Sequence, residues 1–288
     1  MKQQGCYMNN IYQLKKPINQ AFQPVLKIII DATSTLGIPV FIAGATARDL
    51  VLHHVFERNI GRMTYDIDTA ILISSWDVFD ELREQLINEG LEETAVTHRL
   101  LHQETGLPVD VIPFGEITGA NDQIEWPPEY AISMSVAGFI EAYNHALNIE
   151  IAPHYIIKVS SLAGLTLLKL IAWGERRHES NKDAQDFLTI LKEYSNIELD
   201  RLYEEYVPGD ALEFDPDRLG AFLLGYDIGM LFGAQKSTNT LDSLKTVLIT
   251  QQEPLLNSLL KESSSHDSSH IEQWLNDLQL GLSRSIND

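Results

Sequence analysis

The sequence predicts an α+β architecture, a mixed sheet with helices followed by a mostly helical domain, and three observations carry that expectation. Up to about residue 158, short apolar or alternating runs of strand period are interleaved with amphipathic stretches of helical period. From Ser160 onward the period is helical almost throughout. At 288 residues the chain is long enough for two modest cores, so two domains are expected, 1–158 and 159–288.

Along the chain, the first element is an amphipathic helix from about Asn19 to Thr35, with Phe22, Val25, Leu26, Ile29 and Ile30 on one side and Gly37 just beyond its end. Pro39 to Ala43 is a short apolar run stopped by Gly44, which suits a buried strand, and Thr46 is placed to cap a helix to about Phe56. Tyr65 to Ile73 alternates acid and hydrophobe before turning fully apolar, so it predicts a strand that starts at an accessible rim and enters the core. Ser74 and Asp77 open the next helix, whose buried stripe is Val78, Leu82, Leu86 and Ile87, and Gly90 ends it. Residues 94–102 and 107–113, separated by Glu104-Thr105-Gly106, predict a hairpin. Trp126-Pro127-Pro128 predicts irregular chain, and Leu147 to Val159 returns to strand alternation. Near the end, Glu262 to Ser269 is a Ser- and His-rich linker, and Ser269 with Glu272 forms a capping box before Trp274, Leu275, Leu278 and Leu280.

The chemistry concentrates in three acids. In Asp66-Ile67-Asp68 a strand period of two sends both carboxylates to one face and Ile67 to the other. Two like charges that close repel unless a cation lies between them, so the pair asks for a metal. Asp110 sits in a second apolar strand, and if that strand lies beside the first, three carboxylates converge. Such a set suits two Mg²⁺ or Mn²⁺ ions roughly 3.5–4 Å apart and in-line attack on a phosphorus. Gly44-Ala45-Thr46, between a strand and a helix, either offers backbone amides and a hydroxyl to phosphate or is a plain capped turn. Arg48 and Asp49 either contact nucleotide or brace that turn with an ion pair.

The net charge of −20 argues against broad electrostatic attraction to nucleic acid. Residues 100–157 hold no Lys or Arg and eight Asp or Glu, a stretch that repels polyphosphate unless metal intervenes and would attract a polycation; a merely solubilising acidic surface is the alternative. No apolar run approaches the roughly 20 residues that span a bilayer, so no membrane is expected. The lone Cys6, which cannot form an internal disulfide, and a start without a signal-peptide core favour the cytoplasm.

The segments Gly44-Ala45-Thr46-Ala47-Arg48-Asp49, Tyr65-Asp66-Ile67-Asp68 and Asp110 together resemble the DNA polymerase β-like nucleotidyltransferase superfamily. Ala45 stands where similar proteins carry a second Gly or a Ser. The Ala47-Arg48-Asp49 continuation also looks like CCA-adding enzymes and bacterial poly(A) polymerases, but no Arg-Arg-Asp-Phe-Thr segment follows the hairpin. In the second half, Ser161 to Leu165, Leu168 to Trp173, Arg176 and Lys182-Asp183-Ala184-Gln185-Asp186 are similar to the bacterial abortive-infection, AbiEii-like toxin group.

The resemblance implies NMP transfer from an NTP to an acceptor hydroxyl of RNA, such as tRNA, or of a protein. It also implies a toxin of a toxin–antitoxin pair with an antitoxin partner. Asp66, Asp68 and Asp110 would be the catalytic and metal residues; Gly44, Ala45, Thr46, Arg48, Lys169, Arg176, Asp183 and Asp186 would serve the nucleotide. On a helix from Ser161 to about Arg177, Lys169 lies close to the apolar stripe of Leu162, Leu165, Leu168 and Ala172, so it either snorkels out or faces a polar cleft, with Arg176 projecting alike. Asp183 and Asp186 either orient these cations or favour their own helix's N-terminus. Two other functions stay open: transfer to a small cation of the aminoglycoside kind, and a noncatalytic nucleotide- or partner-binding module. Among the histidines, zinc is not expected at His53-His54 or at His266 and His270; His98 and His102 share one strand face, as ligands or at the surface, and Glu116 is placed to line an acceptor site.

Overall fold

The computed structural model describes residues 10–233, 238–263 and 268–287, so Cys6 and His266 lie outside the described residues. Two compact units divide the chain, Met1–Ser161 and Leu162–Asp288. The first contains β1 (Ile11–Gln13), α1 (Phe22–Leu36), β2 (Val40–Ile42), α2 (Gly44–Arg48), β3 (Ile67–Ile73), α3 (Trp76–Asn88), β4 (Leu91–Glu93), β5 (Arg99–His102) and β6 (Pro108–Gly115). It continues through β7 (Gln123–Trp126), β8 (Ile132–Ser135), α4 (Phe139–Asn144), β9 (Leu147–Ala152) and β10 (Tyr155–Val159). Among the described residues, eight strands form one sheet in the order β1-β9-β10-β2-β3-β6-β5-β4, while β7 and β8 form a separate pair. The sheet is mixed: β3 runs parallel to β6 and antiparallel to β2, and β5 antiparallel to β6.

The helices follow the apolar periods, with shifts at the ends. Val25, Leu26 and Ile29 are buried on α1, which starts at Phe22 because the Asn19 side chain takes the Ala21 amide just before it, at 3.0 Å. Gly37 closes α1 in the left-handed conformation, φ 67°, where a Cβ would be strained. On α3 the buried stripe runs through Phe79, Leu82 and Leu86, with Val78 and Ile87 only half-buried. Phe79 takes the inward place because Trp76 and Trp126 pack against its ring, at 5.6 and 5.5 Å between centroids. The same Trp126 corrects the expectation of irregular chain: it ends β7 buried, and the cis Pro127–Pro128 bond lies in the turn to β8. The helix expected from Thr46 starts at Gly44 and widens into a π-helical turn over Asp49–Val55.

The second unit is helical: α5 (Leu162–Arg176), α6 (Lys182–Ile197), α7 (Pro216–Met230), α8 (Thr238–Lys245), α9 (Gln252–Glu262) and α10 (Ser268–Asn287). Asp215 caps α7, its carboxylate accepting the Asp217 and Arg218 amides at 2.9 and 3.2 Å, with Pro216 at the first helical position. Glycines let α7 and α10 meet backbone to backbone. A Cβ on Gly225 would lie 1.9 Å from the Leu278 carbonyl oxygen, and one on Gly281 1.9 Å from that of Phe222. The expected Glu262 to Ser269 linker is shorter, since Glu262 ends α9 and Ser268 begins α10. On α10, Trp274, Leu275 and Leu278 are buried as expected, whereas Leu280 faces outward. Among the described residues, no helix is long and apolar enough to cross a membrane.

Candidate metal centre

Parallel pairing of β3 with β6 sets Asp68 directly beside Asp110, and residues paired in register on neighbouring strands share a face of the sheet. Asp66 immediately precedes β3. One carboxylate oxygen from each of Asp66, Asp68 and Asp110 lies within 4.8 Å of the others. Among the described residues no other cluster of three acidic, His or Cys donors is so placed. The donors are all hard oxygens, and a Mg²⁺, Mn²⁺ or Ca²⁺ ion at about 2.0–2.6 Å from each ligand spans a set of this width. By donor type and spacing the three residues fit a divalent cation.

The first turn of α2 holds two of these acids. Gly44 adopts φ 59°, and a Cβ there would fall 1.9 Å from Asp68 Oδ2, so the glycine is needed for its conformation and for the carboxylate's room. The Ala45 amide donates to Asp68 Oδ2 at 3.1 Å, and the Ala43 amide to the Asp68 carbonyl at 2.9 Å. Thr46, expected at phosphate, is buried, and its hydroxyl donates to the Asp66 carbonyl at 2.6 Å. The Thr64 hydroxyl donates to Asp66 Oδ1. In this structure the turn therefore grips the acids themselves.

Arg48 is a correction of the same kind. Its side chain is 1 % exposed and pairs with Asp49 at 2.6 Å while donating to the Arg62 carbonyl at 2.9 Å. Asp49 also accepts the Thr64 amide at 2.7 Å. The pair braces the loop that delivers Asp66 and is too enclosed to meet nucleotide.

Asp110 has a partner that the sequence argument did not name. Arg99 Nε and Nη2 donate to its two oxygens at 2.6 and 2.7 Å, a bidentate pair across β5 and β6. Hydrogen bonding to Asp110, aided by the charges of Asp66 and Asp68, holds the guanidinium's pKa above its ordinary value. The signal was present in the hairpin: a loop over residues 103–106 sets His102 against Leu107, and Arg99 then falls opposite Asp110.

Other candidates are moved by the fold. Strand β5 begins only at Arg99, and His102 is buried with its Nδ1 2.8 Å from the Thr105 hydroxyl, so it is neither a surface group nor a ligand of the acids. His98 sits 6.0 Å from the Trp126 ring, and burial lowers its pKa against the opposing pull of Asp110. Glu116 follows the far end of β6, six residues past Asp110, which at about 3.3 Å per residue is about 20 Å along the strand. It does not line this site. His53 and His54 each set Nδ1 against a backbone carbonyl, of Arg58 at 3.2 Å and of Lys16 at 3.1 Å.

In the helical unit, Lys169 ion-pairs with Asp183 at 3.0 Å and Asp186 at 2.7 Å, and Arg176 with Asp183 at 2.8 Å. Burial would lower the Lys169 pKa, but Asp186 and Asp183 outweigh it and leave it raised; burial would raise that of Asp183, but Arg176 and Lys169 leave it lowered. Lys169, Asp183 and Asp186 are all buried, so their charges serve one another and join α5 to α6. Arg176 is held by Asp183 through Nε and Nη2, at 2.8 and 3.1 Å, with 54 % of its side chain exposed.

No protein-family model matches the chain, and no curated protein does. Solved structures similar to it include an antigenic nucleotidyltransferase-like protein from Paracoccidioides brasiliensis, 15 % identical over 86 % of this chain and 96 % of that one, TM-score 0.42. Another is the antibiotic-resistance factor ANT(2″)-Ia, 14 % identical over 64 % of this chain and 90 % of that one, TM-score 0.35. The Thermotoga maritima CCA-adding enzyme complexed with tRNA is 12 % identical over 95 % of this chain and 84 % of that one, TM-score 0.27. At such scores the case for function is carried by the side chains themselves.

Proposed function

We propose that this chain is a metal-dependent nucleotidyltransferase that moves NMP from an NTP to a hydroxyl of RNA, such as tRNA, or of a protein. One observation carries the proposal: one carboxylate oxygen from each of Asp66, Asp68 and Asp110 lies within 4.8 Å of the others, Asp68 and Asp110 being on adjacent parallel strands and Asp66 just before the first. In the reaction the acceptor oxygen bonds to the α-phosphorus, the bond from that phosphorus to the β-bridging oxygen breaks, and pyrophosphate leaves with the electron pair. The acceptor proton passes to a base, for which Asp110 is our candidate. Divalent cations at the site would neutralise the triphosphate and acidify the acceptor hydroxyl. Asp66 and Asp68 would hold that charge in place, and Gly44 and Thr46 hold the acids.

The assay is direct: purified chain, Mg²⁺, each labelled NTP and separate RNA, protein and aminoglycoside acceptors. We expect label on one acceptor class and a loss of about 10²–10³-fold in Asp66→Ala and Asp68→Ala, as for removal of groups that stabilise developing charge. Metal-dependent NTP binding with no label on any acceptor would leave the noncatalytic nucleotide-binding module. With the transfer we propose the toxin half of a toxin–antitoxin pair acting in the cytoplasm; expression should arrest growth, and Asp66→Ala should relieve the arrest. A second acceptor, a small cation of the aminoglycoside kind, is favoured by the stretch 100–157, which has no Lys or Arg.

A further inference from the structure

We infer that Arg99 holds the NTP as well as Asp110: the edge of its guanidinium that carries Nη1 receives a non-bridging oxygen of the α-phosphate while the other edge stays on the carboxylate. The inference deepens the proposed function and rests on its transfer reaction.

An arginine carries five N–H donors in a flat fork, enough to serve two acceptors on two edges. Arg99 spends Nε and Nη2 on the two Asp110 oxygens, at 2.6 and 2.7 Å, and among the described residues no protein group accepts from Nη1. With 36 % of the side chain exposed, a ligand can reach that edge. Phosphate oxygens match such an edge as carboxylate oxygens do, and the charge that attracts them does not titrate away.

Strand pairing sets where the edge stands. Asp110 lies opposite Arg99 on one side and beside Asp68 on the other, so the guanidinium flanks the carboxylate cluster. Asp110, as the base, must come within about 3 Å of the acceptor oxygen, and that oxygen within about 3–3.5 Å of the α-phosphorus. The phosphoryl group is then about 6 Å from the carboxylate, a gap that a guanidinium seated on the carboxylate spans. Other groups that the sequence offered to phosphate are engaged elsewhere: the Thr46 hydroxyl with the Asp66 carbonyl, the Ala45 amide with Asp68, Arg48 with Asp49, and Lys169 with Asp183 and Asp186. A fixed cation at the α-phosphate also stabilises the charge that builds on its oxygens as the acceptor attacks.

Equilibrium binding to the full chain without acceptor tests this, with the NTP and with the two diastereomers in which sulfur replaces one or the other non-bridging α-oxygen. Arg99→Gln should bind the NTP about tenfold more weakly or worse, as for loss of a hydrogen bond to a charged group. One diastereomer, its sulfur a weak acceptor at the Arg99 edge, should bind wild type and variant alike. That pattern should be the same in Mg²⁺ and Mn²⁺, because a sulfur that replaces a metal-bound oxygen is better tolerated by manganese. If Arg99→Gln fails to fold, as thermal unfolding will show, Arg99→Lys takes its place; it keeps the charge but lacks the second edge, and the same pattern is expected. Equal losses for the NTP and both diastereomers would mean that Arg99 acts only through Asp110. That result would overturn the inference and leave the transfer reading standing, as would a pattern that manganese abolishes, wild-type affinity in the folded variant, or failure of both variants to fold. Absence of metal-dependent NTP binding to wild type would overturn both.

Discussion

A missing side chain does as much for the metal centre as any acid. Gly44 has φ 59°, and the space its Cβ would fill holds Asp68 Oδ2. Gly44→Ala therefore carries two costs of different size. The left-handed conformation should cost about 1–2 kcal/mol of stability, readable in a denaturant melt. Displacing Asp68 by an ångström should cost about 10²-fold in transfer rate even where the variant is fully folded. A folded Gly44→Ala with wild-type turnover would show that the contact with Asp68 is not needed. Glu141, on α4, is a residue of the opposite sort, a buried acid with no part in the site. Burial, with a smaller push from Asp122, raises its pKa above the usual carboxylate value. The folded chain thus holds that proton more tightly than the unfolded one, so stability falls as pH rises from below the unfolded value through the folded one. Glu141→Gln should be more stable than wild type at neutral pH and should lose that advantage below about pH 4; thermal unfolding at both pH values decides it.

At the scale of elements, packing of α7 on α10 rests on glycines that meet carbonyl oxygens. Gly225→Ala would press a methyl against the Leu278 backbone, which cannot rotate away, so the helices must part. We expect a loss of about 1–3 kcal/mol or more in thermal unfolding, with no effect on metal binding at Asp66 and Asp68, which lie in the other unit. The elements also show what was legible in the sequence and why. Helix α1, strand β3 and the β5–β6 hairpin could be read because their periods are local, and with them came the placement of Asp66, Asp68 and Asp110. The three-residue strands β1 and β4 could not, since β1 exists through its pairing with Asn148 to Glu150 on β9, far along the chain. Hairpin β7–β8 was hidden by its prolines, which signal a turn but not the strands on either side. Lys169 was legible only as an alternative, with Asp183 and Asp186 within reach to orient it, for a related reason. A lysine on an apolar stripe shows that it needs an anion, but only the fold shows that Asp183 and Asp186 already supply it.

For the molecule as a whole, the charge balance constrains the acceptor more than the active-site chemistry does. At −20 net, and with no Lys or Arg between residues 100 and 157, the chain repels a polyanion at long range and attracts a polycation. Salt weakens both effects, with a screening length of about 10 Å at 0.1 M, so the sign of the salt dependence reports the sign of the acceptor. With a cationic small molecule, kcat/KM should fall as KCl is raised at fixed Mg²⁺. With RNA it should stay flat or rise, because a chain of net charge −20 repels the phosphates; a protein that does neutralise phosphates loses about 10³–10⁵ in affinity between 50 and 200 mM salt. A steep fall with RNA would mean that cations such as Arg176 and its neighbours gather into a nucleic-acid track despite the overall charge. A steep fall with the small cation and none with RNA would make the cationic acceptor the substrate and displace the RNA reading.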